Sequence, residues 1–151
     1  MMVKLQLHSL ISIVIAGIVL VAPTVGYSSV GEIGKIRGSG VLERDGNVVD
    51  GNTGVGVQSM DTAVTAKGQM QIDFIDETRV DITEHSRLLI DEFVYDPANG
   101  KGALGLKASM GTVRYASGQI AKKYQQNVKI RTPSATIGVR GTDFIMVVDE
   151  V

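Results

Sequence analysis

The sequence predicts an all-β protein, a single domain of many short strands with a solenoid-like or sandwich-like architecture, preceded by an N-terminal signal helix. Three observations predict this class. Apolar and polar residues alternate along most of the chain, which is the period of a half-buried strand. Turn-forming Gly, Asn, Asp and Pro recur about every 8–12 residues. A nearly continuous apolar run is confined to residues 10–22.

The N-terminal segment has the layout of a secretory signal. Lys4 precedes the apolar run at residues 10–22, and Pro23 and several small residues follow it. A helix of that length rises about 20 Å, which is short of the roughly 30 Å hydrocarbon core of a bilayer. We therefore predict a signal peptide over residues 1–28, cleaved near Ser28, with an uncleaved anchor as the alternative.

The rest of the chain predicts strands joined by turns. Met70–Phe74 and Val80–Ile82 both alternate around the polar residues 76–78, which predicts a hairpin. Further alternating segments predict later strands: Leu88–Val94, Leu104–Ala108, Val113–Tyr115, Val128–Ile130, Ile137–Val139 and Ile145–Val147. Residues 120–126 are expected to form a helical turn or two, without a clear cap.

The domain organisation follows from this pattern. Residues 29–56 are expected to hold an N-terminal strand and a Gly/Asn-rich loop, the loop spanning 46–56. Residues 57–151 are expected to form one β domain. A chain of 151 residues fits a single domain.

Composition excludes several classes of function. The chain has 15 Lys+Arg, 16 Asp+Glu and no Cys, which gives no bulk basic footprint for nucleic acid and no thiolate site. Aromatic residues are 5% with no Trp, which disfavours base-stacking platforms. We expect no nucleic-acid partner.

Catalytic groups are sparse. With His8 in the signal, a Ser-His-Asp arrangement would need His85, whose strand neighbours point to the opposite face, so we interpret His85 as a surface or turn residue. Asp73, Asp81 and Asp91 are expected on solvent faces of strands. The sequence thus predicts a protein that is not an enzyme.

Metal and anion sites have only weak signals. Residues 96–100, Asp-Pro-Ala-Asn-Gly, offer oxygen ligands for a cation, but this pattern is also a strong turn former, which we favour. Lys122, Lys123, Lys129 and Arg131 are interpreted as a solvated face, with an anionic envelope surface as the alternative partner. We expect no metal and no cofactor.

The most specific run lies at residues 130–144. Thr132 before Pro133 predicts an extended corner, and Gly141 allows a bend. Arg140 has apolar neighbours, and Asp143 is its nearest candidate partner if the chain kinks at Gly141; a ligand-contacting arginine is the alternative. The motif residues, with a structural or binding role, are Thr132, Pro133, Ala135, Gly138, Val139, Arg140, Gly141, Thr142, Asp143 and Phe144.

This run resembles the signature of the FecR-type domain, the periplasmic domain named for the ferric-citrate regulator. The resemblance spans roughly residues 57–148 and includes these further segments: residues 62–66, 70–78, 86–91, 93–97 and 111–115. It implies a periplasmic sensing domain, because the family's named members hold a sigma factor with a cytoplasmic N-terminal region and sense an outer-membrane receptor with their periplasmic part.

The sequence departs from that plan at both ends. About nine residues precede the apolar run, too few to grip a sigma factor. The family pattern continues beyond the strand at 145–148, whereas this sequence ends at Val151. We expect an unpaired edge at the final strand, with three explanations open: a sheet that closes early, a truncated reading frame, or a partner strand that completes the sheet.

The sequence therefore favours an exported, non-enzymatic FecR-type β domain that acts as a binding or signalling module in the cell envelope or outside the cell. A structural or adhesive component of a surface or particle assembly is the alternative, and a sigma-factor regulator comes third. The expected partner is a protein, with the membrane contacted only through an uncleaved N-terminal segment. The expected location is periplasmic or secreted.

Overall fold

The computed structural model describes residues 28–140 and 143–149. The described residues form ten strands, one short helix and two 3₁₀ turns. In chain order the elements are β1 (Gly31–Arg44), β2 (Asn47–Asp50), β3 (Gly56–Val57), β4 (Thr62–Phe74), β5 (Arg79–Ile82), β6 (Arg87–Asp96), a 3₁₀ turn (Pro97–Asn99), β7 (Lys101–Ala116), α1 (Gln119–Lys123), a 3₁₀ turn (Gln125–Asn127), β8 (Val128–Arg131), β9 (Thr136–Gly138) and β10 (Asp143–Val148). The predicted all-β class is confirmed.

All ten strands belong to one sheet that is organised around three long strands, β1, β4 and β7. One half of the sheet has the order β1-β4-β5-β7-β10. The other half has the order β2-β1-β4-β6-β7-β8-β9. Each long strand thus changes partners along its length. Pairing is antiparallel except between β7 and β8, unlike the parallel coils of a regular solenoid.

The long strands change partners at irregularities in the ladder. The pairing of β1 with β4 shifts register between Gly38 and Gly40, and β7 passes from β6 to β10 at Gly111. Gly111 has φ +92°, and a Cβ there would lie 2.6 Å from the Cα of Ser86. Glycine is therefore required at this bend, because any side chain would meet backbone.

One hydrophobic core joins the two halves. Ile72 and Val113 from one half and Leu88 and Leu106 from the other are almost fully buried in the same cluster. The rings of Phe74 and Phe93 stack with centroids 5.4 Å apart, which brings β4 of one half against β6 of the other. A sheet that bends so that both halves share a core is sandwich-like in its packing.

Several local predictions are confirmed. The hairpin forms between β4 and β5, with Ile72 opposite Val80. The helical segment exists as α1 and the 3₁₀ turn after it. One local prediction is wrong in part: residues 46–56 are not a loop throughout, because Asn47–Asp50 pair with the end of β1. Because β2 lies at an exposed edge of the sheet, its residues show no clear alternation of apolar and polar side chains.

The segment 29–56 is joined to the rest of the domain through β1, which pairs with β4 from Gly31 to Glu43. The predicted signal peptide lies outside the described residues except for Ser28. Within the described part of the chain, no helix combines the length and the apolar character needed to cross a membrane.

Ionisation of the buried Tyr115 phenol is expected to make the stability of the domain depend on pH. The side chain of Tyr115 is fully buried and stacks on Phe144, with ring centroids 5.3 Å apart. Burial raises the pKa of the Tyr115 phenol. Because folding favours the neutral phenol, Tyr115 stabilises the folded state fully below the pKa of an unfolded tyrosine, about 10. This stabilisation is lost as the pH rises through the higher pKa of the folded state.

We expect the free energy of unfolding to fall more steeply above pH 10 in the natural protein than in Tyr115→Phe, which has no titrating group at this position. Urea unfolding between pH 8 and pH 11 measures both slopes. Parallel alkaline declines in the two proteins would contradict the assignment.

Candidate binding site on the outer sheet face

A row of side chains crosses the outer face of the half-sheet β1-β4-β5-β7-β10. Lys35 lies opposite Gln71, Gln71 opposite Asp81, Asp81 opposite Arg114, and Arg114 opposite Ile145. Directly opposed residues on neighbouring strands project to the same side of a sheet. Five strands thus contribute one side chain each to a continuous line.

This face carries a groove of about 380 Å³, named here the outer groove. A second row runs beside the first, since Arg37 lies opposite Gln69 and the N–H of Thr83 donates to the carbonyl of Thr112. The residues that line the groove are Lys35, Arg37, Gln69, Met70, Gln71, Asp81, Ile82, Thr83, Thr112, Arg114 and Ile145.

The outer groove is positively charged although the chain is slightly acidic. Lys35, Arg37 and Arg114 line it together with a single carboxylate, Asp81. Four ion pairs occur among the described residues, and they use Arg44, Arg79, Arg87 and Arg131 instead. The three cations of the groove are therefore available to carboxylates of a partner.

The groove ends at the β10 edge, a name used here for the side of Asp143–Val148 that faces away from β7. Within residues 28–140 and 143–149, β10 pairs with β7 alone. Ile145 and Val147 remain 65% and 69% exposed on its outer face. The predicted unpaired edge at the final strand is thus present among the described residues.

The first part of the 130–144 motif forms a turn and a short strand. The Thr132 hydroxyl accepts a hydrogen bond from the Ala135 N–H at 3.1 Å, which closes the corner at Pro133 between β8 and β9. This geometry agrees with the predicted Thr-Pro corner, and it gives Thr132 a structural role.

The second part of the motif lines a separate cavity of about 440 Å³. Gly138, Val139 and Arg140 lie there with Lys129 of β8. Val139 is buried and Arg140 is exposed, so the apolar neighbours of Arg140 in the sequence do not enclose its side chain. Its apolar neighbours in sequence turn inward while its own side chain faces solvent.

The end of the motif belongs to β10. Asp143 lies opposite Ala116, and Phe144 lies opposite Tyr115 and stacks on it. None of the four ion pairs among the described residues joins Arg140 to Asp143. The motif residues Gly141 and Thr142 lie outside the described residues. The motif is therefore divided between a turn, a cavity and an edge strand.

The other residues that the sequence suggested as functional candidates lie on the surface of the domain. Lys129 and Arg131 share the exposed face of β8, and Arg131 pairs with Asp91 at 3.0 Å. His85 is exposed in a turn with φ +53°, as expected.

The segment 96–100 forms the expected turn. Asp96 accepts hydrogen bonds from the side chain and the backbone N–H of Asn99, and these bonds lower the pKa of Asp96.

The sequence alone did not reveal the outer groove. Alternation placed Asp81 and Arg114 each on a polar strand face, but nothing local indicated that these faces adjoin. Lys35 and Arg114 come from strands far apart in the sequence, and the register of the two strands between them, β4 and β5, brings them into one surface.

Comparison with protein families gives a match over the C-terminal part of the chain. A family model described as FecR protein matches residues 61–151, which is more than half of the chain. No curated protein and no solved structure matches the sequence. The matched residues include β4 to β10 and hence four of the five strands that carry the outer groove, as well as the whole 130–144 motif. The chain belongs to the FecR family.

Proposed function

We propose that this protein is an exported, non-enzymatic binding module of the cell envelope that takes a protein partner on its outer groove. Membership of the FecR family supports a signalling or regulatory type of module. It also supports a location in the cell envelope, because proteins of this family are generally envelope-associated. The N-terminal signal pattern supports export. The scarcity of catalytic side chains supports a role in binding rather than in catalysis.

The observation that carries the proposal is the charge of the outer groove. Lys35 and Arg37 of β1 and Arg114 of β7 converge there from two strands, and none forms an ion pair with a carboxylate elsewhere in the described residues. Cations that have no internal partner stabilise no part of the fold through pairing, but they favour association with an acidic surface. The groove therefore fits a partner that presents carboxylates.

We expect Arg37→Glu/Arg114→Glu to abolish capture of the partner without unfolding the domain, because both side chains are exposed. A photo-crosslinking residue at Gln69, inside the groove, would form a discrete adduct in intact cells. This adduct should decrease at least tenfold in the double variant. The matched control is Lys107→Glu, an equal charge change per site at an exposed residue of β7 outside the groove.

The proposal fails if the adduct persists in the double variant, or if Lys107→Glu removes it equally. The location is tested separately by a reporter fused after Val151 that is active only outside the cytoplasm. An inactive reporter would refute export without bearing on the groove.

A structural or adhesive role in an assembly is the alternative, and the exposed apolar side chains of the β10 edge favour it. Exposed apolar residues on an unpaired strand can drive association between copies of a chain. Sedimentation of the purified full chain over a wide concentration range tests this role. A strictly monomeric species at high concentration would count against it.

A further inference from the structure

The β10 edge has the hydrogen-bonding capacity of a docking strand. The six residues of β10 pair with β7 on one side, and no other backbone hydrogen bond among the described residues involves residues 143–149. In an antiparallel pair, alternate residues direct their N–H and C=O groups away from the partner strand. Such groups form a ladder that an extended segment can complete.

The outer face of this edge has a distinctive order of side chains. Asp143, Ile145 and Val147 of β10 are exposed and alternate with residues that turn inward, and Asp149, the residue that follows the strand, is exposed as well. The order is therefore acidic, apolar, apolar, acidic. Side chains directly opposite one another across two strands interact most strongly, so a partner strand would place its own residues against these four.

We propose that the β10 edge binds an extended segment of a partner protein in which two apolar residues at alternate positions are flanked by Lys or Arg. The apolar pair would cover Ile145 and Val147, and the flanking cations would face Asp143 and Asp149. Residues of the segment that point inward would cover the remaining exposed area of Phe144. This inference rests on the proposed function as a protein-binding module and names the chemistry of one segment of the partner.

A second copy of the chain fits this edge less well. An antiparallel pairing of two β10 strands centred on Met146 would place Ile145 against Val147 of the other copy. The same register would place Asp143 against Asp149 at both ends, and like charges directly opposite one another destabilise a strand pair. The charges therefore favour a segment with basic ends over self-pairing.

The test uses two synthetic heptapeptides and the full chain. One peptide, Lys-Thr-Val-Thr-Val-Thr-Lys, matches the edge, and the other carries Glu in place of both Lys. We expect the Lys peptide to bind roughly five- to tenfold more tightly in an NMR or calorimetric titration. In Asp143→Lys/Asp149→Lys the preference should invert, so that the Glu peptide binds more tightly.

A matched pair of variants locates the binding. Val147→Lys should weaken the Lys peptide at least tenfold, because it places a cation in the apolar centre of the edge. Val48→Lys should leave the affinity unchanged, since Val48 is similarly exposed (66%) on another edge strand, β2.

The proposal is overturned if neither peptide binds, if the charge reversal leaves the preference unchanged, or if Val48→Lys weakens binding as much as Val147→Lys. It is also overturned if the full chain dimerises and Val147→Lys makes it monomeric, because a second copy would then occupy the edge. Each of these results leaves the crosslinking test of the outer groove unaffected, so failure here is distinguishable from failure of the proposed function.

Discussion

Arg44→Met is expected to lower the free energy of unfolding by about 3–5 kcal/mol. The guanidinium of Arg44 donates two hydrogen bonds to the carboxylate of Asp61, at 2.8 and 2.7 Å, and a third to the carbonyl of Gly56. The side chain of Asp61 is only 1% exposed. Removal of Arg44 would therefore leave a buried carboxylate without its counter-charge, in a fold whose total stability is on the order of 5–15 kcal/mol.

The location of this pair explains why the loss would be large. Asp61 also accepts a hydrogen bond from the N–H of Gln58, so it organises the turn that enters β4. Arg44 at the end of β1 thereby ties this turn to β3. The hydrogen bond with Asp61 raises the pKa of Arg44, as expected for a cation held by a carboxylate.

Urea unfolding of the natural protein and Arg44→Met measures the effect. The matched control is Arg87→Met, because Arg87 pairs with Glu43 where both side chains are about 40% exposed. Less than about 1 kcal/mol is expected there. Adding Asp61→Asn to Arg44→Met should recover part of the loss by removing the uncompensated charge. If the double variant is no more stable than Arg44→Met, the buried charge is not the cause.

Asp76→Ala is expected to cost about 3–5 kcal/mol, since it removes a fully buried acceptor that serves three donors. The Asp76 carboxylate accepts from the N–H of Thr78 at 3.1 Å, from the Thr78 hydroxyl at 2.8 Å and from the N–H of Ile120 at 3.1 Å. Its backbone carbonyl accepts from the N–H of Gln119 at 2.7 Å. Alanine would leave buried donors unpaired, each at a cost of about 1–3 kcal/mol.

The same interactions make Asp76 the cap of α1. This helix has five residues and no cap from its own N-terminal residue, Gly118. A helix of that length is not stable alone in water. The carboxylate from the β4–β5 turn therefore fixes the start of α1 from a distant part of the sequence.

Thermal unfolding and amide exchange together test this role. Asp76→Ala should lower the melting temperature and speed exchange of the Ile120 amide more than that of β6 amides. Asp50→Ala, at an exposed position of β2, should stay within about 0.5 kcal/mol of the natural protein. Uniform acceleration of exchange would contradict a capping role for Asp76 and leave only a global loss of stability.

Elements that depend on local sequence could be predicted, whereas elements that depend on contacts between distant residues could not. The hairpin of β4 and β5 was predictable because its alternation and its turn are both local, and the two strands are joined by four residues. The Thr132 corner was predictable for the same reason. β2 was missed because its pairing with β1 leaves Val48 exposed, so that burial imposes no clear alternation. The helix cap was missed because its acceptor, Asp76, lies more than forty residues before α1.

The sequence by itself determined the all-β class, the local hairpin and corner, and the family, because each depends on patterns within a few residues or on one contiguous motif. Only the tertiary structure decided which polar faces adjoin, which carboxylates are buried and which edge remains open. Periodicity tells which side of a strand is polar, whereas the register between distant strands depends on the packing of the whole core. Lys35 and Arg114 meet, and Asp61 and Asp76 become buried, only once that core has formed.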